Sequence, residues 1–156
     1  MKTLADLIAF NEAHAREEMP YFGQDTFVKA QAKGPLTDKA YLSARARARR
    51  LSRTEGLDLL FATKKVDALL APSGGPASLT DLVNGDYGTG GSSGPAAVSG
   101  YPSITVPAGF VRGLPVGVSF VGPAWSEGRL IGIAHAYEQR TKLRRPPQYL
   151  PSAIAR

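Results

Sequence analysis

Two adjacent serines in a glycine-rich segment are the residues of this chain that suggest chemistry first. Ser92 and Ser93 lie in the run GGSSG at 90–94, shortly after the carboxylate of Asp86. A serine hydroxyl needs a neighbouring base, or an equivalent activating group, to act as a nucleophile, so the run alone does not make a catalytic site. Small polar side chains in a loop can instead line a pocket. We therefore interpret Asp86, Ser92 and Ser93 as candidate substrate-binding residues, and we assign no catalytic residue.

The same segment also has a purely structural interpretation. Asn84, Gly85 and Asp86 form a typical turn sequence, in which an aspartate side chain bonds to the local backbone. The glycines around Ser92 and Ser93 are equally typical of a tight turn. A turn that binds no ligand is the simpler alternative to pocket lining.

These residues lie in a long loop between two predicted strands. Short, continuous runs of apolar and β-branched residues at 66–71, 103–106 and 116–121 favour strands covered on both faces. Prolines stand at the strand ends, where a missing N–H disturbs no ladder bond: Pro72, Pro102, Pro107, Pro115 and Pro123. The connection at 73–100 is about 28 residues long, a length typical of functional or disordered loops. Because it carries few charges and several apolar residues, we expect an ordered, packed loop.

Helical patterns precede and follow the strands. They predict helices at 3–18, 25–32 and 37–63, the last bent at Gly56, and a final helix that follows Ser126 as N-cap. Helices on either side of strands predict an α/β fold. A chain of 156 residues with 43% apolar residues is long enough for one domain. We predict a single α/β domain over 1–150 and a loose tail over 151–156.

Several side chains have predicted roles in these helices. Thr3 with Asp6 forms an approximate capping box, and Thr37 is predicted to cap its helix. Trp125 is expected to pack on Leu130 as a hydrophobic staple. Apolar residues at helical spacing predict the buried stripes: Leu4, Leu7 and Ile8; Tyr41, Ala44, Ala48 and Leu51; Leu130, Ile133, Ala134 and Tyr137; with Phe22 and Phe27 as anchors of the short second helix.

The composition bounds the classes of function. The chain has no cysteine, so a disulfide framework and a thiolate metal site are excluded. His14 and His135 stand far apart without carboxylates at ligand spacing, so we predict no metal and no cofactor. No apolar run approaches the ~18 residues of a membrane span, and the N-terminus lacks the apolar core of a signal peptide. A cytoplasmic protein without membrane contact is the default expectation.

The chain is basic, with a net charge of +6 and a pI near 9.8. Arg45, Arg49 and Arg53 follow at helical spacing and share one predicted face. Such a stripe can meet phosphates, but it is not accompanied by interleaved aromatic residues, zinc-ligand spacing or an RNA-recognition motif. A solvated helix face therefore explains the arginines better than nucleic-acid binding does.

Several longer motifs resemble one enzyme family. They are YFGQ at 21–24, GPLTDKAYL at 34–42, NGD at 84–86, PAAVSGYPSITVPAGF at 95–110, GLPVGVSFVGPAWSE at 113–127 and AYEQRTKLRRPP at 136–147. Together they are similar to the C-terminal part of amidase-signature hydrolases, specifically bacterial amidases. The resemblance implies an α/β fold with a large mixed β-sheet flanked by helices, of which this chain would supply some strands. It also implies hydrolysis of carboxamide C–N bonds by a Ser, cis-Ser and Lys triad.

The GGSSG run differs from the family motif GGSSGG that carries the cis-serine. Pro95 stands where that motif has a second glycine, no lysine in a matching motif lies upstream, and no nucleophile segment lies downstream. The resemblance places the triad in the N-terminal and central parts of the family fold. It therefore implies that Ser92 and Ser93 are not catalytic.

Two functions remain open from the sequence. One is a C-terminal amidase fragment that is catalytically incomplete by itself. The other is a non-enzymatic interaction module that binds an anionic partner through its basic helices. Strands and faces left uncovered by absent family residues would expose edges and apolar surface. We therefore expect a homo-oligomer, or association with the missing N-terminal amidase portion.

Overall fold

The structure is a computed structural model, and it describes residues 1–149. The expected loose tail at 151–156 lies outside the described residues. Along the chain the elements are α1 (Leu4–Ala13), α2 (Ala15–Glu18), α3 (Asp25–Gln31), α4 (Lys39–Ser52), a π-helical segment (Arg53–Leu57), α5 (Asp58–Lys64), β1 (Leu69–Pro72), α6 (Ser93–Ser99), β2 (Ser103–Val111), β3 (Leu114–Val121) and α7 (Glu127–Thr141). The chain divides into two compact units, Met1–Ser43 and Ala44–Arg156. A single domain over 1–150 stays a prediction.

The first unit begins with a capping box. The Thr3 hydroxyl accepts from the Asp6 N–H at 3.1 Å, and the Asp6 carboxylate accepts from the Thr3 N–H at 3.1 Å, so this prediction is confirmed. The predicted helix at 3–18 is interrupted at His14, where α1 ends and α2 starts. Gln24 links α1 to α3, because its amide donates to the Ile8 carbonyl at 3.0 Å.

The predicted apolar stripes of this region are only partly correct. Leu4, Leu7 and Ile8 are half-buried and not fully buried. The short helix α3 forms almost over its predicted range, but its expected anchors do not bury: Phe22 is 78% exposed and Phe27 is 40% exposed. The apolar residues alone therefore did not reveal which of them pack.

Helix α4 starts at Lys39, two residues later than predicted. Thr37 lies in a turn closed by the Asp38 N–H on the Pro35 carbonyl at 3.0 Å, so Thr37 is not the cap. Every residue from Lys39 to Leu51 is exposed, including the predicted buried stripe. The expected bend at Gly56 is confirmed, since Gly56 has a non-helical φ of −113° and ψ of −105° inside the π-helical segment.

The second unit is built on a three-stranded sheet in the order β1-β3-β2, with both pairings antiparallel. Strands β2 and β3 form a hairpin across Arg112 and Gly113, both with positive φ, as two-residue turns of type I′ require. The sequence prediction ended the second strand at 106, but β2 continues through Pro107 and resumes after a register shift before Gly109. A bulge accommodates the proline because the ladder is already interrupted there. The first strand, predicted from 66, begins at Leu69.

Alternation along β3 divides its side chains between two cores. Val118 and Phe120 join Val106 and the α7 residues Leu130 and Ala134 in one cluster. Val121 faces the other side, where it packs with Leu57 and Ala96. Ser119 shares that second side, since residues two apart on a strand point the same way. The sheet therefore has helices on both faces, and the α/β prediction is confirmed.

Helix α7 buries the predicted stripe but not the predicted staple. Leu130 and Ala134 are each 2% exposed, and Ile133 and Tyr137 pack beside them. Trp125, in contrast, is 92% exposed and therefore does not pack on Leu130 as a staple, and its backbone has a left-handed φ of +63°. Ser126 stands at the N-cap position, but its hydroxyl donates to the Pro123 carbonyl at 2.7 Å and does not bond to the helix.

Candidate functional site

Two pockets meet where the chain leaves β1. The first, the apolar pocket, has a volume of about 550 Å³ and is lined by Leu70, Ala71, Pro72, Gly74, Gly75, Pro76, Ala108, Val111, Val116, Gly117 and Val118. The second, the glycine pocket, has a volume of about 430 Å³ and is lined by Ala71, Pro72, Gly74, Gly75, Thr89, Gly90, Gly91 and Ser92. Four residues line both pockets, so one short segment of backbone separates them.

Close backbone contacts form the glycine pocket. Gly74 pairs with Gly91 as an isolated antiparallel bridge, and the Gly75 N–H donates to the Thr89 hydroxyl at 3.1 Å. A Cβ at Gly91 would lie 2.9 Å from the Ser73 carbonyl oxygen, a backbone atom that cannot move away easily. A Cβ at Gly75 would lie 2.4 Å from two side-chain atoms of Thr89. Glycine is therefore required at both places for the two stretches of the loop to approach each other.

Of the three predicted pocket residues, the structure brings only Ser92 to a pocket. Ser92 is half-buried, its backbone N–H donates to the Ser73 carbonyl at 3.4 Å, and its hydroxyl oxygen is buried. Within the part of the chain that the structure describes, this hydroxyl has no hydrogen-bond partner. A buried hydroxyl without a partner costs free energy, so rotation of the Ser92 side chain toward the glycine pocket would let it gain a hydrogen bond to a ligand.

Ser93 and Asp86 lie elsewhere. Ser93 is exposed as the first residue of α6, a helix that the sequence prediction assigned to the loop. Asp86 is exposed, and neither it nor Ser93 is among the residues that line the two pockets.

The turn before Asp86 is organised by a residue that the sequence reasoning missed. The Asp81 carboxylate accepts from the N–H groups of Val83 and Asn84 and from the Asn84 side-chain amide, each at 2.9 Å. The bonds from Asn84 and then Val83 lower the pKa of Asp81 below its ordinary value. Gly85 follows with a φ of +81°. An aspartate three residues before Asn-Gly is a recognisable turn signal, and it could have identified Asp81.

A cluster of three hydroxyl groups lies behind the pockets. The hydroxyl oxygen of Ser119, a residue only 6% exposed, lies 2.7 Å from that of Ser73 and 2.8 Å from that of Thr105. Ser73 also receives support from the backbone, because its N–H donates to the Gly117 carbonyl at 2.9 Å. These bonds fix the start of the long loop against β2 and β3.

A second set of polar contacts, between Arg53, Tyr101 and Asp58, holds the C-terminal end of α6. The Arg53 Nε donates to the Ser99 carbonyl at 2.6 Å, and the Arg53 guanidinium lies 5.5 Å from the centre of the Tyr101 ring. The Tyr101 hydroxyl donates to the Asp58 carboxylate at 2.5 Å. This bond to Asp58, followed by burial, raises the pKa of Tyr101 above its ordinary value, while Arg53 acts in the opposite direction. Arg53 is therefore engaged inside this unit and is not part of a free basic stripe.

The two pockets can hold a ligand, but the described residues around them do not form a pair of nucleophile and base. Across residues 1–149, no lysine amine forms a hydrogen bond to a serine hydroxyl. The described residues also contain no group of three or more histidine, cysteine, aspartate or glutamate side chains that could hold a metal ion. No helix in residues 1–149 combines the length and the apolar character needed to cross a membrane.

Comparison with known proteins identifies the family. The family model described as Amidase matches residues 25–131. A probable amidase of Arabidopsis thaliana is 35% identical over 152 residues, which is 96% of this chain and 26% of the relative.

Solved structures give the same result. The peptide amidase from Stenotrophomonas maltophilia is 50% identical with a TM-score of 0.86, and the peptide amidase PAM in complex with the competitive inhibitor chymostatin is 52% identical with a TM-score of 0.90. Each comparison covers 96% of this chain but only 30% of the other. The chain thus spans less than a third of the length of these relatives, and it belongs to the amidase family.

Proposed function

We propose that this chain supplies part of the substrate pocket of an amidase that hydrolyses carboxamide C–N bonds. The observation that carries the proposal is the buried, unpartnered Ser92 hydroxyl at the glycine pocket of an amidase-family chain. Ser92 binds the substrate here, since an amide offers both a carbonyl acceptor and an N–H donor to a hydroxyl. Asp86 and Ser93 act indirectly, by shaping the loop that carries Ser92.

The proposed substrate class is peptide amides. The likeness to two peptide amidase structures, one of them with a competitive inhibitor bound, supports this choice. The apolar pocket next to the glycine pocket has a size and lining suited to an apolar side chain of such a substrate. In the proposed reaction the nucleophilic serine of the triad attacks the carboxamide carbon, and the C–N bond breaks with release of ammonia. Water then hydrolyses the acyl-enzyme, which gives the carboxylate and frees the serine.

The triad for this reaction comes from residues outside this sequence, so we propose that the chain is catalytically incomplete by itself. Its partner is the remaining amidase portion, and self-association into a homo-oligomer is the alternative. The exposed stripe of α4 supports a missing partner, with Tyr41 41% exposed and Leu51 48% exposed. Within residues 1–149 the outer edges of β1 and β2 are also unpaired. A cytoplasmic location belongs to the same proposal.

The test measures ammonia release from a peptide amide by the purified chain alone and after addition of a polypeptide that carries the family triad. We expect no release by the chain alone and release by the mixture. In the mixture, Ser92→Ala should raise KM, whereas Ser103→Ala, on an exposed residue of β2 that lines neither pocket, should leave KM unchanged. Turnover by the chain alone that persists through repeated purification would overturn the proposal, and so would an inactive mixture whose two polypeptides demonstrably associate.

A second candidate function is binding of an anionic partner through α4. Five basic residues lie in this exposed helix, and α4 contains no acidic residue: Lys39, Arg45, Arg47, Arg49 and Arg50. A basic helix of this kind favours acidic partners through long-range attraction. Arg50 is already paired with Glu55, which reduces the available charge. Binding to an acidic polypeptide that weakens with added salt and is lost in Arg45→Ala with Arg49→Ala would support this function.

A further inference from the structure

One arginine joins the π-helical segment to the helix that follows Ser92. The Arg53 side chain contacts two residues near the end of α6. Its Nε donates to the Ser99 carbonyl at 2.6 Å, and its guanidinium lies over the Tyr101 ring. A Cβ at Gly100 would lie 3.2 Å from Nη2 of Arg53, so this stretch of backbone passes close to the guanidinium. A planar guanidinium can donate and stack at the same time, and a lysine ammonium cannot reproduce that geometry.

The C-terminal end of α6 is held by these contacts and by its own cap. Ser99 is fully buried, and its hydroxyl accepts from the Tyr101 N–H at 3.1 Å. Gly100 takes a left-handed φ of +71°, and its N–H donates to the Ala96 carbonyl at 2.8 Å. Tyr101 is fixed in turn by its bond to Asp58. The anchored region thus runs without a break from Ala96 to the start of β2.

Helix α6 has only seven residues, and it buries only Ala96 and Ser99. A helix this short is not stable by itself and depends on tertiary contacts. Its first residue follows directly on Ser92, the residue that lines the glycine pocket. A shift of the C-terminal end of α6 is therefore passed to Ser92 through about two helical turns.

We propose that Arg53 is a positioning residue for Ser92: by holding the C-terminal end of α6, it sets where Ser92 lies in the wall of the glycine pocket. Arg53 does not touch the pocket, since it is not among the lining residues. It acts through the helix. Its role in positioning is a property of the chain alone, while its effect on substrate binding rests on the proposed amidase function.

The first experiment uses the chain alone and needs no activity. In Arg53→Ala we expect amide hydrogen exchange at Ser99 and Gly100 to accelerate by about tenfold or more, with α7 unchanged, because only the anchored helix opens locally. The backbone NMR signals of Gly91 and Ser92 should move. Arg45→Ala, which removes an exposed arginine of the same predicted stripe, is the matched control and should change neither.

Arg53→Lys keeps the charge and the aliphatic stem, so it remains informative if Arg53→Ala does not fold. We expect it to restore the fold but not the Gly91 and Ser92 signals, because it cannot stack and donate together. Unchanged signals at Gly91 and Ser92 in a folded Arg53 variant would overturn the proposal. An equal shift of the Gly91 and Ser92 signals in Arg45→Ala would also overturn the proposal, because loss of one positive charge would then explain the effect.

The second experiment uses the complemented amidase described above. We expect Arg53→Lys to raise KM for a peptide amide by about fivefold or more while kcat changes by less than about twofold, because Ser92 is proposed to bind substrate and not to react. A loss in kcat alone would contradict that role. Displaced Ser92 signals in a mixture that never hydrolyses amides would support the positioning role of Arg53 while the proposed function fails, so the two failures are distinguishable.

Discussion

The hydroxyl oxygens of Ser73 and Ser119 lie 2.7 Å apart, although the two residues are 46 positions apart in the sequence. Ser119 is on the central strand and almost fully buried, whereas Ser73 is the first residue after β1. This bond therefore fixes the entrance of the long loop, and with it the wall shared by the two pockets. Thr105 completes the arrangement from β2.

Ser119→Ala should destabilise the protein by about 1–3 kcal/mol, because two neighbouring hydroxyls lose a shared partner in a buried place. Urea unfolding followed by circular dichroism measures the change. Ser103→Ala, on an exposed residue of β2, is the control and should alter the free energy of unfolding by less than about 0.5 kcal/mol. Equal effects of the two substitutions would show that the hydroxyl cluster contributes nothing specific.

Gly117→Ala should also destabilise, by about 1–3 kcal/mol, since overpacking forces neighbouring atoms apart. The added Cβ would lie 2.9 Å from Cγ2 of Thr105 and 3.0 Å from the Ser73 hydroxyl oxygen. Gly132→Ala offers the opposite outcome, because Gly132 is exposed inside α7 and a Cβ there meets nothing within 4 Å. We expect it to stabilise by about 0.5–1 kcal/mol from helix propensity. Thermal unfolding of both variants decides the matter, and a stabilised Gly117→Ala would contradict the packing described here.

Tyr101 gives a pH dependence in the alkaline range. Its pKa is raised above 10.0 in the folded chain, mainly by the bond to Asp58. Because the pKa is raised, Tyr101 keeps its proton to higher pH in the folded chain than in the unfolded chain. Its contribution to the free energy of unfolding is therefore fully present below about pH 10 and is lost as the pH rises through the folded pKa. Asp58→Asn should bring the pKa of Tyr101 closer to 10.0 and reduce the loss of stability. An NMR titration of the Tyr101 ring carbon measures the pKa, and an unchanged value in Asp58→Asn would contradict this assignment.

Asp6 gives a pH dependence in the acid range. The bonds from the N–H groups of Lys2 and Thr3 lower its pKa below 3.8. Its contribution to α1 is therefore present above that pH and is lost as the pH falls through the folded pKa. Asp6→Asn should weaken protection of the first turn of α1 at neutral pH and remove its acid dependence. Amide exchange measures both effects, and Glu12→Gln, an exposed acid of the same helix, is the control.

The sequence predicted features that depend on local chemistry. The Thr3 and Asp6 capping box, the bend at Gly56 and the buried stripe of α7 at Leu130 and Ala134 are all confirmed. Each follows from residues within one or two turns of a helix, where spacing alone decides which groups meet. The amidase resemblance is confirmed too, because its motifs are distributed along nearly the whole chain.

What the sequence did not reveal depended either on backbone conformation that spacing alone does not fix or on contacts between distant segments. Trp125 has the right spacing for a staple on Leu130, yet its backbone is left-handed and its side chain is exposed to solvent. The π-helical segment supplies Arg53 to α6 across 46 positions, and no periodic pattern indicates such a contact. The hairpin at Arg112 and Gly113 was not predicted either, although the sequence contains a local signal for it, a glycine between two apolar strands. The substrate-binding roles of Asp86, Ser92 and Ser93 stay predictions.

The tight turn at Arg112 and Gly113 also bears on the order in which the molecule assembles. It makes the pairing of β2 with β3 local, whereas β1 reaches β3 only after a long excursion of the chain. Closing a short loop loses less conformational entropy than closing a long one, so the hairpin should nucleate and β1 should dock onto it late. Both pockets take part of their lining from β1 and the glycines that follow it. The two pockets are thus expected to form in the last step of folding, and to be lost first when heat or denaturant destabilises the protein.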